Sequence, residues 1–214
     1  MAGIGLRYAA FAPVTSHTDG SAITYGTGRE VGMMIDATVT ITRNSNKLHA
    51  NDVVAEEDNS ISEASIAVEM DDLTLDNESF MLGTAKVTSD NVSHYQDTDD
   101  PSPLGGFGYV RVRSKTDQST GVTAKSYIAT WWYKVRARIE NEEAKTKGDN
   151  IEWTTPKLVV RAMGAYIDDS GKLKFRDRQS FESYSAAKSF IDNYANISAP
   201  SSNSGTSSNS GTGT

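Results

Sequence analysis

The chain has 214 residues, which is enough for one domain with a hydrophobic core and too few for two. A formal net charge of -7 argues against general attraction to nucleic acid or anionic membranes. Because there is no cysteine, thiol catalysis, disulfides and cysteine-based zinc sites are excluded. No stretch reaches the roughly 20 apolar residues that a membrane span needs, so no membrane partner is expected.

Alternating apolar and polar residues predict a mainly β (α+β) fold with one or two helices. In chain order, the predicted strands lie at 37–43, 64–70, 106–114, 126–140 and 150–167. The strand at 126–140 is the clearest, since its odd-numbered residues from Tyr127 to Ile139 are apolar and are predicted to share one face. Pro156 indicates an edge or a bulge in the last strand, and 168–172 is typical of a turn.

Two helices are predicted. The first, at 71–83, has acidic residues near its start and Gly83 as its end. The second, at 183–197, groups apolar residues at helical spacing and has Ser185 as its predicted N-cap.

Three further segments complete the predicted organisation. Residues 1–13 are predicted to form an apolar N-terminal arm. The polar segment 88–106, with two prolines and a double glycine, is predicted to be a long loop. Residues 199–214, which are Ser, Gly, Asn and Thr apart from the first two, are predicted to be a flexible tail. Residues 1–198 therefore form one predicted domain.

The sequence carries no recognisable catalytic or metal-binding pattern. The three histidines lie far apart, and none has a His or Cys at metal-ligand spacing. The stretch "GAYIDDSGK" (164–172) lacks the spacing of a phosphate-binding loop. The stretch "DTDDPSP" (97–103) begins like a calcium loop but lacks its glycine and its closing glutamate. We therefore expect no enzyme activity, no metal and no cofactor.

Acidic residues are concentrated between residues 51 and 74, which hold eight Asp or Glu and no Lys or Arg. Consecutive acids at 56–58 diverge, so they are not expected to converge on one ion. Glu69 and Asp71 are two apart on a predicted strand, and Glu63 joins their face if the strand extends that far. Three interpretations remain open for this stripe: a solvated face, a face towards a partner or an anionic cargo, and a pair of catalytic carboxylates.

Basic residues are segregated too, because residues 107–138 carry seven Lys or Arg against Asp117 alone. This separation has three interpretations: chance with ordinary solubility, nucleic-acid binding, and self-assembly. In the third, the acidic part of one subunit meets the basic part of the next.

Seven segments carry a family resemblance in a fixed order along the chain. They are "IGLRYAAFAPVT", "YGTGREVGMMIDATVTIT", "LHANDVVAEEDNSISEASIAVEMDDLT", "GGFGYVRVR", "YIATWWYKVRARIE", "EEAKTKGDNIEWTTPKL" and "SFESYSAAKSFIDNY". Over residues 3–195, they resemble the major tail proteins (tail tube proteins) of long, non-contractile-tailed bacteriophages of Gram-positive hosts.

The resemblance implies a β-sandwich or barrel flanked by one or two helices. It also implies a structural virion protein of the phage tail, assembled in the host cytoplasm. It implies hexameric rings that stack into a hollow tube, with a continuous inner β-barrel to which each subunit lends strands. DNA would pass through an acidic lumen without specific binding. The implied partners are further copies of the chain and the tail terminator, tape measure and distal tail proteins.

Candidate residues follow from the separation of charges along the chain and from the family resemblance. The lumen or interface candidates are Glu63, Glu69 and Asp71. The inter-subunit candidates are Ile4, Leu6, Tyr8, Phe11, Glu56, Glu57, Asp58, Arg111, Arg113, Arg136 and Arg138.

One alternative from another functional class stays open. A β-sandwich binding module for carbohydrate or a cell surface would use consecutive aromatic residues as a platform, and Trp131, Trp132 and Tyr133 are the residues for it. Core packing is the competing explanation for Trp131 and Tyr133.

Overall fold

The structure of the protein, a computed structural model, describes residues 2–18, 22–50, 53–116, 119, 121, 123–142, 154–166 and 172–198. The elements of this part are β1 Ala2–Ser16, β2 Thr24–Tyr25, β3 Arg29–Gly32, β4 Met34–Arg43, β5 Asn46–Ala50, β6 Val53–Asp58, β7 Ile61–Met70, α1 Leu75–Leu82, β8 Ala85–Ser89, β9 Val92–Gln96, β10 Gly105–Thr116, β11 Thr123–Asn141, β12 Lys157–Ala162, β13 Ala165–Tyr166, β14 Leu173–Lys174, β15 Arg176–Phe181 and α2 Tyr184–Ala195. In this part of the chain, no helix is long and apolar enough to cross a membrane.

Most of the strands form one antiparallel sheet in the order β2-β1-β10-β11-β12-β7-β4. Strand β3 adds to β1, and β15 adds to the first half of β11. Three separate hairpins extend from this sheet, namely β5–β6, β8–β9 and β13–β14. The prediction of a mainly β (α+β) fold with one or two helices is confirmed, since the described residues form antiparallel sheets and two helices.

The sheet curls around one apolar core. Strand β3 pairs with β1, and after Met33 the chain continues as β4, which pairs with β7 at the far end of the sheet. Strands β1 and β4 therefore come into contact. Inside lie Phe11, Phe107, Ile66 and Trp132, all fully buried, and α1 adds Met81 to them.

A second core lies between α2 and the other face of the sheet. Trp131 stacks on Tyr194 of the helix, with ring centroids 5.7 Å apart and planes 9° apart. Ala187 and Ile191 complete the contact. Gly106 makes it possible, because a Cβ there would lie 2.2 Å from Trp131 Cζ2. Strand β11 is thus buried on both faces, which explains two adjacent tryptophans.

A bulge in β11 changes which residues face the core. Gly105 pairs with Val135 and Phe107 with Trp132, so β11 has one extra residue between these positions. Trp131 and Tyr133 therefore face α2, whereas Val135 and Ala137 face the inner core beside Trp132. The prediction that all odd-numbered residues from Tyr127 to Ile139 share a face is wrong, because the alternation reverses at the bulge.

Both helices end where glycine or asparagine adopts a left-handed conformation. Helix α1 starts after Thr74, which accepts a hydrogen bond from the Asn77 N–H at 3.3 Å, and ends at Gly83 with φ 84° as predicted. Helix α2 starts after Ser183, whose hydroxyl accepts from the Ala186 N–H. The prediction of Ser185 as N-cap is wrong, since Ser183 has the extended backbone of a cap and Ser185 lies in the first turn.

The predicted loop at 88–106 is largely wrong. Strands β8 and β9 form a hairpin in this region, and its turn residues Asp90 and Asn91 both have positive φ. Two such residues twist a short turn in the direction that a hairpin requires. Apart from these two turn residues, only 97–104 of the segment lacks strand or helix.

The predicted N-terminal arm is also wrong, because residues 2–13 pair with β10 inside the main sheet. The strand predicted at 150–167 is shorter, starting after Pro156 as β12 and stopping at Ala162. The turn predicted at 168–172 and the tail at 199–214 lie almost wholly outside the described residues. The strands flanking that turn, β13 and β14, do pair as a hairpin.

Candidate assembly surfaces

Four strands form a sheet region with two unpaired edges. In order, they are β4, β7, β12 and residues 135–141 of β11. Within the described ranges, no strand pairs with the outer edge of β4. On the other side, β10 pairs with β11 only as far as Val135, so residues 136–141 have no described strand beside them on that edge. We call this unit the four-stranded region.

The edge of β4 has features that unpaired edges of monomeric proteins normally avoid. It is ten residues long and contains no proline, its charged residues are Asp36 and Arg43, and its bulge lies at its start, between Met34 and Asp36. Met33, just before the strand, is 68% exposed, and Ile35, near its start, is 52% exposed. Long, apolar free edges bind other strands unless charges, prolines or bulges protect them.

The outer face of the four-stranded region carries the predicted acidic stripe. Glu63 and Glu69 lie on this face, opposite the buried side chains of β7. Glu69 lies between Asp36 on β4 and Lys157 on β12, and its carboxylate accepts a hydrogen bond from Thr155. Asp71 is exposed but follows the last residue of β7, so it does not extend the stripe.

Basic residues occupy the other half of the same face. Arg136 on β11 lies directly opposite Arg161 on β12, and Arg138 lies opposite Val159. None of these three arginines takes part in an ion pair with a described residue. Like charges in directly opposed positions destabilise a sheet. The face therefore has an acidic side, on β4 and β7, and a basic side, on β12 and β11.

The other two predicted arginines lie on the opposite face of the sheet. Arg111 and Arg113 lie on the inner face of β10, after the buried Tyr109. Arg178 of β15 lies close to them. The sequence thus predicted one basic region where the structure has two. The separation arises because the alternation of β11 reverses at its bulge.

Arg111, Arg113 and Arg178 surround a recess of about 310 Å³, completed by Ile128, Gln179 and Ser180. We call it the arginine recess. Arg111 Nε is buried and makes no hydrogen bond with the described residues. Next to it, the guanidinium of Arg176 lies 4.8 Å from the Trp132 ring. Burial, followed by the charges of Arg178 and Arg111, lowers the pKa of Arg176.

An acidic recess of about 330 Å³ lies near the other end of β11. Its four acids are Glu78 from α1, Asp97 and Asp100 from the segment after β9, and Glu142 after β11. Burial raises the pKa of Glu78, and the charges of Asp97 and Glu142 add to the effect. The sequence offered little signal for this cluster, because its members come from three separate segments.

Among the remaining residues predicted to contact a neighbouring subunit, some are buried and one is exposed. Tyr8 and Phe11 are buried within their own chain, so the prediction that they contact a neighbour is wrong. Leu6 packs against the inner core. Asp58 is exposed, and hydrogen bonds from Ser60 and then Asn44 lower its pKa.

Glu56 and Glu57 lie on β6 and Ile4 lies on β1, but their side chains are outside the described part. The structure therefore leaves the roles predicted for these three residues open.

The aromatic platform of the carbohydrate alternative is absent. Trp131 and Trp132 are 0% exposed and Tyr133 is 8% exposed. They belong to the two cores, so they cannot stack on a sugar.

No group of three His, Asp or Glu within the described ranges is arranged to hold a metal ion. The functional candidates are therefore surfaces: two free edges and two recesses of opposite charge. Comparison with protein-family models and with curated protein sequences finds no match for this chain.

Proposed function

We propose that this chain is a structural protein that assembles into rings, and that the rings stack into the hollow tail tube of a bacteriophage. The ring size implied by the resemblance is six. The observation that carries the proposal is the four-stranded region with its two free edges. The tail terminator, tape measure and distal tail proteins are the partners expected at the ends of such a tube.

The geometry of this region favours a closed ring. Its four strands are antiparallel, so β4 and β11 at the two edges run in opposite directions. If β4 of one subunit pairs with β11 of the next, the antiparallel alternation continues around the ring. A head-to-tail contact of this kind closes when the rotation between subunits allows it. Both free edges then gain hydrogen-bond partners.

Charge supports the same contact. The β4 edge carries Asp36 and Arg43, and the β11 edge carries Arg136, Arg138 and Glu140. A register that sets Asp36 beside Arg136 or Arg138 joins opposite charges, which helps to select the partner and its register. Joining the two edges also covers the exposed side chains of Met33 and Ile35 if they face the neighbour.

The proposed passage of DNA concerns the outer face of this region. If this face lines the lumen, its acidic half repels phosphate at short range, whereas its basic half, with Arg136, Arg138 and Arg161, attracts it. Replacing Glu63, Glu69 and Asp71 together by alanine should then slow DNA ejection or disturb assembly. Normal tails and normal infectivity in a phage with this triple variant would count against a role of these acids.

The first experiment is negative-stain electron microscopy of the purified protein over a range of protein and salt concentrations. Rings or hollow tubes are expected. The variant Ile35→Lys places a charge beside the β4 edge and should reduce ring formation. Leu173→Lys is the matched control, because Leu173 is 61% exposed on β14, away from both edges.

A protein that stays monomeric at every concentration and salt, with or without preformed tube ends as seeds, would refute the proposed assembly. If Ile35→Lys and Leu173→Lys lose rings equally, the β4 edge is not the contact between subunits.

A further inference from the structure

The two recesses of opposite charge have no assigned role. The arginine recess includes Ile128 in its lining, and the acidic recess includes Ile139. Both residues belong to β11, whose rise of about 3.3 Å per residue separates them by roughly 36 Å. One subunit therefore carries a basic recess and an acidic recess far apart along its longest strand.

Within the described residues, neither recess is neutralised by an ion pair. The described ion pairs are Lys86–Asp76 and Lys188–Asp192, and neither involves a residue of a recess. The hydrogen bonds that Asp97 and Asp100 accept from described side chains come from the hydroxyl groups of Thr84 and Thr98, each at 3.4 Å. In the arginine recess, Arg111 Nε is buried without a hydrogen-bond partner. Grouped like charges of this kind are favourable only when an opposite charge is brought to them.

We propose that the acidic recess of one copy of this chain docks on the arginine recess of the copy in the next ring, and that this contact stacks the rings. The inference rests on the proposed function, in which the strands of the four-stranded region run from one rim of a ring to the other. The two ends of β11 then lie at opposite rims. Such a contact repeats without closing, so it produces a tube with one acidic end and one basic end.

Chemistry favours this occupant. Guanidinium groups bind carboxylates through paired hydrogen bonds, which a cluster of arginines can supply. Docking also removes the repulsion among the acids around Glu78, whose pKa is already raised by burial and by its acidic neighbours.

The test uses two charge-reversed proteins. In the first, Arg113→Glu and Arg178→Glu make the basic end acidic. In the second, Asp97→Arg and Asp100→Arg bring two positive charges into the acidic end, which offset the charges of Glu78 and Glu142. Each protein alone should form rings, but with tubes about tenfold shorter than those of the unmodified protein, because the opposite charges no longer meet between rings. An equimolar mixture should restore long tubes, because rings of the two proteins can alternate.

Ring number per tube is counted in negative-stain images, and Arg161→Glu on the outer face of β12 is the control, expected to give tubes of unchanged length. If a double variant does not fold, the single exposed-site variants Arg178→Glu and Asp100→Arg are compared and mixed in the same way, with a smaller shortening.

Tubes of normal length from either reversed protein alone would overturn the inference, as would a mixture no longer than its components. Rings would still form in these cases, so the proposed function would stand. Absence of rings from the unmodified protein refutes both.

Discussion

The Tyr8 hydroxyl donates a hydrogen bond to the carboxylate of Asp192, which joins the first strand to the last helix. Tyr8 lies at a bulge of β1 and has a φ of 59°, a left-handed conformation that is uncommon for an aromatic residue. Lys188 completes the group, with its Nζ 2.7 Å from Asp192 Oδ2 and 4.2 Å from the centre of the Tyr8 ring. The strained backbone of Tyr8 is thus held by contacts with Lys188 and Asp192, which lie about 180 positions further along the chain.

Removing the hydroxyl should destabilise this junction. Tyr8→Phe leaves the ring in place but deprives Asp192 of one donor, and hydrogen bonds to charged groups contribute about 1.5–3 kcal/mol. We expect a loss of about 1–2 kcal/mol in the free energy of unfolding, measured by urea denaturation, because Lys188 still pairs with Asp192. Tyr127→Phe is the control, since that hydroxyl makes no hydrogen bond with described residues. Equal stability of the two variants would contradict this role for Tyr8.

Alkaline pH should unfold the protein through its buried tyrosines. Burial raises the pKa of Tyr8, Tyr25 and Tyr194, and hydrogen bonding with Asp192 adds to the effect for Tyr8. The folded state therefore keeps these groups neutral, whereas the unfolded chain ionises near pH 10. Their contribution to stability is complete below that pH and is lost as the pH rises further.

The measurement is the urea midpoint between pH 8 and pH 11. It should fall more steeply above pH 10 in the unmodified protein than in Tyr194→Phe, which has one fewer group to ionise on unfolding. Parallel curves for the two proteins would show that Tyr194 does not contribute.

The sequence alone was sufficient to predict the strands and helices whose structure depends on local pattern. The predicted strands at 37–43, 64–70, 106–114 and 126–140 lie within β4, β7, β10 and β11, and both predicted helices are present. Their apolar periodicity is set by neighbours a few residues away. The pair Asp90–Asn91 between two β-rich runs was an available signal for the β8–β9 hairpin, and the polarity of the segment concealed it.

Contacts between distant parts of the chain were not predictable from local pattern. The alternation in β11 reverses where its neighbour changes from β15 to β12, and these strands lie beyond the reach of any local window. The N-terminal segment looked like an arm because its partner β10 is about a hundred residues away. The acidic recess combines Glu78, Asp97 and Glu142, which only the fold brings together.

The glycines of "GGFG" should be required for the packing of α2. A Cβ at Gly106 would lie 2.2 Å from Trp131, and one at Gly108 would lie 2.5 Å from the same ring. Gly106→Ala forces the indole away from Tyr194 and should cost about 1–3 kcal/mol. Gly5→Ala, on β1, is the control because a Cβ there meets nothing within 4 Å. The free energy of unfolding and the near-ultraviolet circular dichroism of Trp131 should change only in Gly106→Ala.

Substitutions at the opposed residues Arg136 and Arg161 should affect the stability of the monomer in the same way but ring assembly differently. Reversing either charge, in Arg136→Glu or Arg161→Glu, replaces repulsion with an ion pair across the ladder. Both variants should therefore be slightly more stable as monomers, by about 0.3–1 kcal/mol, because the pair is partly exposed to solvent. Urea denaturation in dilute solution measures this gain.

Their effects on ring formation should differ, because Arg136 lies at the free edge of β11 whereas Arg161 lies on the inner strand β12. Arg136→Glu puts a negative charge next to the β4 edge of the proposed neighbour, which carries Asp36. This variant should therefore raise the protein concentration needed for rings. Arg161→Glu should leave that concentration unchanged, as measured by sedimentation. If both variants assemble like the unmodified protein, the β11 edge is not the surface that meets β4. If both fail equally, the cause is the charge of the whole face and not the edge.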